Sequence, residues 1–583
     1  MRKINLKSIV YLLVLSMFLP GCAGLKKMKK NADKIQFKTT PEVLEAHANK
    51  VDLAIDGIFP ANYFNKKAVL VVTPSLKYEG GETKYAPITV QGEKVQANNR
   101  VISYAAGGNF SYKNATDYIN AMSKSGLYVN ITASKGKKNL DFNPIKIADG
   151  VIATSQMVEN MPKAIIGVQR EPNTTGKYDP NIDAFQRIVP DEMVADIHYL
   201  INRSNIRSEE TTATDVKDFE TYTRKANEDE KINLKQIEVS AYASPDGTID
   251  FNTELAAERK NTSSAYLAQR LKEAGVNIEL KTKYTPEDWE GFKEVMESSN
   301  IRDKELILRV LSMYNDPEVR EREIRNLAET FTAVAEEILP QLRRAKMVTS
   351  ADFIGKSDEE LKALAKSNPA SLNPAELLYA ATLFEDLNEQ LSIYNSFIRV
   401  YPNDWRGHNN AGYVMVKQKK YADAKPLFGQ AERLKNNEPI VKNNLGAVNL
   451  YEGNIAVSET LFGAASGAGS EVNYNLGMVS IKKAEYDQAV RYFDRTADVN
   501  SALAKIMAGD NNGALRDLET NTAESATKEY LKAIIGARTA RESLLIESLQ
   551  KAVNLDSNFK AKAKNDIEFM RYFNNSRFSA IVN

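Results

Sequence analysis

Few of the usual chemical tools are present in this chain. Among 583 residues there is one cysteine, Cys22, so no internal disulfide and no cysteine metal cluster can form. There are three histidines, His47, His198 and His408, which fall in separate regions, and none stands in an H-x-x-x-H or H-x-x-E-H spacing that would hold zinc. Neither a GxSxG turn nor a GxxxxGK[ST] phosphate loop occurs, and no nucleophile has a base at workable spacing. Net charge is also lacking: 77 Lys plus Arg balance 76 Asp plus Glu, so charge does not point to nucleic acid or to acidic substrates. The expectation is a non-enzymatic protein with no cofactor, no metal and no nucleic-acid partner.

Long hydrophobic runs are absent as well, apart from Ile9 to Leu19, which is too short to cross a bilayer. Arg2, Lys3 and Lys7 precede it, the arrangement of a secretory signal peptide. It ends in Leu19-Pro20-Gly21-Cys22, which resembles the lipobox of bacterial lipoproteins. That resemblance implies removal of residues 1–21, lipidation of Cys22 and anchoring in a membrane. Residues 22–34 then read as a basic tether, with Lys26, Lys27, Lys29 and Lys30. In Bacteroidota lipoproteins, which this chain resembles, an acidic run after the cysteine marks export to the surface. Its absence implies the periplasmic face of the outer membrane.

From 35 to 180 short alternating segments are punctuated by turn residues, a pattern predicting a β-sandwich-like domain. Candidate strands are Val51 to Ile55, Ala68 to Val72, Ile88 to Val90, Val101 to Tyr104, Leu127 to Ala133 and Val151 to Thr154. Glu171 to Pro180, with two prolines and a glycine after its first residue, reads as a linker.

Residues 185–353 predict an α/β domain organised around Ile237 to Leu271. Ile237, Val239 and Ala241 alternate as a strand, Ser244-Pro245-Asp246-Gly247 make a turn, and Leu255, Ala256, Arg259, Ser263, Leu267 and Leu271 recur at helical spacing. This stretch resembles the OmpA-like peptidoglycan-binding family, whose loop reads roughly G-H-T-D-x-x-G before a Y-N pair and an L-S-x-x-R-A helix. Ala241 to Ser244 take the first four places, Phe251-Asn252 the Y-N pair, and Arg259 the helix arginine. The resemblance implies that Arg259 holds a carboxylate of the wall peptide, with Asn252 nearby, while Ser244 stands where the family's ammonium-binding Asp would be. Asp246, two residues on, is the acid able to swing into that place. The first strand is predicted at Ile197, Tyr199 and Ile201, the third at Val276, Ile278 and Leu280, and the last from Arg343. A helical insertion at 285–341 separates the last two, with faces at Trp289, Phe292 and Met296, at Leu306, Leu308, Val310 and Leu311, and at Phe331, Val334, Ile338 and Leu339.

After a polar connector at 354–373 the period changes. Gly412, Gly446 and Gly477 lie 34 and 31 residues apart, each followed by a second helix carrying Phe428, Phe462 or Phe493. This resembles the tetratricopeptide repeat, and implies an α-solenoid over 374–583 with a C-terminal cap and a concave groove for a protein partner. The groove could instead be filled by the chain's own tail or by the OmpA-like domain. The fold expected is thus multidomain α+β: sandwich, α/β domain with insertion, solenoid. The function expected is a periplasm-facing outer-membrane scaffold that contacts peptidoglycan or a partner, in an envelope assembly or secretion complex. The alternative is a passive tether between outer membrane and wall.

Overall fold

The computed structural model describes residues 23–167, 185–302, 304–326 and 332–583. The predicted signal peptide, Cys22, the linker at 171–180 and Phe331 lie outside them. The described residues form two compact units: those up to Gly167 together with Asp386–Asn583, and those from Phe185 to Glu385.

The first unit begins with two packed β-sheets. One is centred on Lys50–Phe59, which pairs antiparallel with Gly108–Asp117 on one side and with Gln36–Thr40 and Leu44–His47 on the other. The other is built on the antiparallel pair Val69–Tyr78 and Ser125–Lys135. Alternation explains the packing: Val51, Leu53, Ile55 and Phe59 are buried on one sheet, Leu70, Val72, Leu127, Val129 and Ile131 on the other, and they share one core. Strand Gly108–Asp117 was illegible because, apart from Ala115, its only apolar side chains are Phe110 and Tyr112.

Two boundaries differ from expectation. The stretch predicted as a basic tether contains a helix, Ala23–Lys30, whose Leu25 and Met28 are buried in the sandwich core, with the Tyr63 hydroxyl donating to Met28 O at 2.9 Å. Leucine and methionine three apart share a helix face, so the lysines are left outside. The sandwich also ends at Val151–Ile152, and residues 153–167 leave it.

Asp386–Asn583 is an array of helix pairs. Trp405–Lys417 pairs with Tyr421–Leu434, Pro439–Tyr451 with Ile455–Ala464, and Ser470–Lys482 with Tyr486–Tyr492. In each pair the glycine admits the phenylalanine ring of its own partner helix. A Cβ on Gly412 would lie 2.6 Å from Phe428, on Gly446 2.6 Å from Phe462, and on Gly477 2.7 Å from Phe493. The aromatics therefore lock the two helices of one repeat. Helix starts are set locally, by Asp404 accepting from Arg406 N at 2.9 Å and by Pro439 in a first turn. Two further pairs run from Val499 to Leu555, and Phe569, Phe578 and Val582 cover the last one.

The second unit carries a four-stranded sheet. Arg344–Ile354 lies between Ile188–His198 and Ile232–Tyr242, antiparallel to both, and Leu280–Thr285 adds in parallel to Ile232–Tyr242. Helices Thr214–Glu228 and Ile249–Glu273 contribute Val216, Phe219, Leu267 and Leu271 to the sheet's core. The third strand starts later than expected because Val276 closes the preceding helix. Gly275, at φ +71°, bonds to Lys272 O at 3.2 Å and Val276 N to Leu271 O at 2.9 Å, a Schellman ending. The insertion has its own core of Phe292, Met296, Ile307, Leu311, Ile324, Val334 and Ile338. Leu306, expected inside, is 43% exposed, because Ile307 and Leu311 form the inward stripe. Pro374–Thr382, expected at the start of the solenoid over 374–583, belongs to this unit, where Tyr379 stacks on Phe185 at 4.4 Å.

Candidate functional site

In the first unit the groove of the helix array is filled by the chain itself. Residues 159–167 run extended along it, opposite in direction to the repeats, and are read by asparagines on the first helix of successive pairs. Glu159 N bonds to Asn500 Oδ1 at 2.8 Å, Lys163 N to Asn475 Oδ1 at 2.8 Å, Ile165 N to Asn444 Oδ1 at 2.7 Å and Gly167 N to Asn410 Oδ1 at 2.7 Å. Three of the same side chains also donate back to the residue that they accept from: Asn500 to Glu159 O at 3.0 Å, Asn475 to Lys163 O at 2.8 Å and Asn444 to Ile165 O at 2.7 Å. A primary amide presents one acceptor and two donors, so it satisfies both polar groups of a strand residue at once. The two-residue step from 163 to 165 to 167 is the period of an extended chain.

The asparagines also bond to one another. Asn475 donates to Asn443 Oδ1 at 3.0 Å, Asn443 to Asn444 at 3.1 Å, Asn444 to Asn409 at 2.8 Å and Asn409 to Asn410 at 3.1 Å. Because each strap N–H must meet an oxygen, the orientation of Asn410, Asn444 and Asn475 is determined, and the chain of amide bonds follows from it. Asn409, Asn410, Asn443, Asn444 and Asn475 are all wholly buried. Buried amides are costly unless satisfied, and the strap supplies the donors for Asn410, Asn444 and Asn475; among these five, Asn410 Nδ2 is left without a bond.

Side chains add selectivity. Ala164 packs with Tyr421, Phe428 and Val448, and Ile165 enters the main core of the array. The Lys163 ammonium stands over the Tyr474 ring at 3.6 Å, and Tyr421 donates to Pro162 O at 3.3 Å. A Cβ on Gly167 would lie 3.1 Å from Asn410 Oδ1 and 3.3 Å from the Trp405 ring. At the other end, burial and then Asp498 push the Glu159 carboxyl up from its ordinary value. Beside the strap, Thr154 and Arg538 share the Glu568 carboxylate, and His47 Nδ1 lies 2.7 Å from the Tyr486 hydroxyl, so sandwich and array are joined beyond the strap.

Sequence reasoning missed this ladder. The signal was present: an asparagine stands two residues before each repeat glycine, at Asn410, Asn444 and Asn475. The glycines drew attention to the pairing face while their neighbours carried the groove.

In the second unit the four residues implied by the OmpA-like resemblance do come together, in roles of another kind. Arg259 is wholly buried. Its Nε donates to Arg203 O at 3.0 Å, Nη1 to Tyr242 O at 2.9 Å and Nη2 to Leu200 O at 3.3 Å, and the group lies 5.1 Å from the Tyr199 ring. Burial pushes its pKa down to about 10. The guanidinium is therefore a strut that ties three backbone segments, with no solvent-facing edge for a carboxylate. Asp246 does swing beside Ser244, accepting its hydroxyl, but its other oxygen meets Arg343 at 3.2 Å. Arg325 of the insertion donates to Asp246 O at 3.1 Å. Asn252 donates to Gly247 O at 3.2 Å and so holds the loop. Among the described residues, no three His, Cys, Asp or Glu side chains converge as a metal would require.

No family model matches the chain, and no curated protein matches it. Among solved structures, it is similar to a tetratricopeptide repeat protein from Parabacteroides merdae, at 18% identity over 36% of this chain and 91% of that one, with a TM-score of 0.28. It is also similar to PilF of Pseudomonas aeruginosa, at 13% identity over 39% and 98%, TM-score 0.27, and to yeast Tom70, at 13% over 55% and 76%, TM-score 0.25. With scores of this size, the assignment of the array as tetratricopeptide-like helix pairs rests on the glycine-aromatic packing and on the repeat spacing.

Proposed function

We propose that this chain is a non-enzymatic scaffold of the bacterial envelope, anchored through Cys22 and facing the periplasm, whose helix array clasps extended polypeptide. The observation that carries the clasp is the asparagine ladder, which pairs with the N–H and C=O of alternate residues and so recognises an extended backbone. The anchor rests on the residues before Cys22. In this reading the sandwich and array act as one module, because the strap and the Glu568 cluster bind one to the other. The OmpA-like assignment rests on the strand, loop and helix motif around Ser244. Since Arg259 is committed to backbone carbonyls, that domain serves best as a protein-contacting module.

A second reading, the passive tether, is favoured by the filled groove: an array occupied by its own chain has no need of a partner. Two experiments test these readings. Metabolic labelling with an alkyne fatty acid should mark the native chain and not Cys22→Ser; label in both would remove the anchor. Sedimentation with purified sacculi, using protein that begins at Ala23, should leave the scaffold in solution, whereas co-sedimentation lost in Asp246→Ala would favour the tether.

A further inference from the structure

We propose that the strap at 159–167 is a built-in competitor, and that the groove beneath it takes in trans an extended peptide with the strap's own pattern. This rests on the clasp described above and extends it to regulation and to the kind of partner.

Most of the polar recognition is by backbone, so any extended segment able to present N–H groups at three alternate positions can replace the strap. The ladder is already organised by its own amide-to-amide bonds, from Asn475 through Asn443, Asn444 and Asn409 to Asn410. These run between side chains of the array, whereas the buried oxygens facing the strap need some partner. Strap side chains that enter the array are few: Pro162, Ala164 and Ile165 are buried while Met161 and Lys163 are exposed. Little apolar surface therefore has to be given up for a different chain to enter. The fit also defines the partner. Numbered as in the strap, it has no proline at 163, 165 or 167, a small residue at 164, an aliphatic one at 165 and glycine at 167, with a cation at 163 to lie over Tyr474. Because the strap is covalently attached, its effective concentration is of the order of millimolar, and a free peptide must overcome it.

The test uses protein starting at Ala23 and a fluorescent peptide with the sequence of residues 157–167. Two variants loosen the strap without touching the array: Ala164→Asp with Ile165→Asp, and Ile165→Pro, which removes a rung N–H. Circular dichroism checks that each keeps its helix content. We expect the loosened proteins to bind the peptide at least about a hundredfold more tightly than the native chain, and addition of Asn444→Ala to weaken that binding roughly tenfold or more. N-methylation of the peptide at the Ile165 position should abolish binding. At the Ile166 position, whose N–H points away from the ladder in a strand, it should not. Equal affinity in native and loosened proteins would overturn the proposal, as would equal effects of the two methylations. Failure of both loosened variants to bind would refute exchange, and the clasp itself would still stand if Asn444→Ala exposes the native strap to protease.

Discussion

Asn444 is the ladder position with most to lose. It accepts from Ile165 N and from Asn443, and donates to Ile165 O and to Asn409, which uses its full capacity. Asn444→Ala removes both of its bonds to the strap and strands the Ile165 N–H and Asn409 Oδ1 beside a small cavity, while Ile165 O keeps the bond donated by Asn409 Nδ2 at 3.2 Å. A buried group left unpaired costs about 1–3 kcal/mol, and water entering the cavity recovers part of that for two groups. A net loss of about 2–4 kcal/mol is expected, which raises the open population of the strap roughly 30- to 1000-fold. Lys163 is exposed and reports opening, since trypsin needs several residues on each side of its bond to be free. Cleavage after Lys163, followed by mass spectrometry, should be slow in the native chain and accelerate by that factor in Asn444→Ala. Asn473→Ala, at an exposed position on the neighbouring first helix, should cleave at the native rate. Rapid cleavage of the native chain, or equal rates in both variants, would refute the strap's dependence on Asn444.

Three further predictions concern stability. Gly446→Ala puts a Cβ 2.6 Å from the buried Phe462 ring and should destabilise in urea unfolding by about 1–3 kcal/mol from overpacking, only partly offset by helix preference, while Gly429→Ala, with open space around it, should stabilise by up to about 1 kcal/mol. If both change in the same direction, the glycine-aromatic lock is wrong. Arg259→Ala empties a buried site and removes three side-chain bonds to carbonyls, leaving Leu200 O its bond from Arg203 N at 3.1 Å, so the second unit should lose about 3–5 kcal/mol; a variant as stable as the native chain by calorimetry would return Arg259 to a ligand role. Glu159 has its folded pKa raised above the ordinary 4.5 by burial and then Asp498, so its proton is bound more tightly when folded. Its contribution to strap stability is thus lost as pH rises from about 4.5 through the raised value, and Glu159→Gln should flatten this pH dependence of Lys163 cleavage. A slope unchanged by the substitution would exclude Glu159 as its source.

The legible parts of this protein were those where one period dominates. Val51, Leu53 and Ile55 alternate over a buried face, and Gly412, Gly446 and Gly477 mark repeats because a ring must fit against each. The strap was illegible for the opposite reason: its conformation is imposed by partners more than 240 residues away. Lys163-Ala164-Ile165-Ile166-Gly167 recurs as Lys532-Ala533-Ile534-Ile535-Gly536, extended at the first site and α-helical within Ala526–Arg538 at the second. Five identical residues thus carry no local decision. Asparagines supply the outcome at 163–167, while at 532–536 a helix neighbour approaches so closely that a Cβ on Gly536 would lie 2.6 Å from Leu545 N. Around Ser244 the motif placed strand, loop and helix, but the commitment of Arg259 to carbonyls of Leu200 and Arg203 depends on a loop that carries no part of that motif.

Amide hydrogen exchange resolved to single residues across 157–167 of the native protein tests the asparagine-held strap most directly. We expect slow exchange at Lys163, Ile165 and Gly167, whose N–H groups meet Asn475, Asn444 and Asn410, and faster exchange at Ala164 and Ile166 between them. Uniform exchange at the rate of a free chain would contradict it.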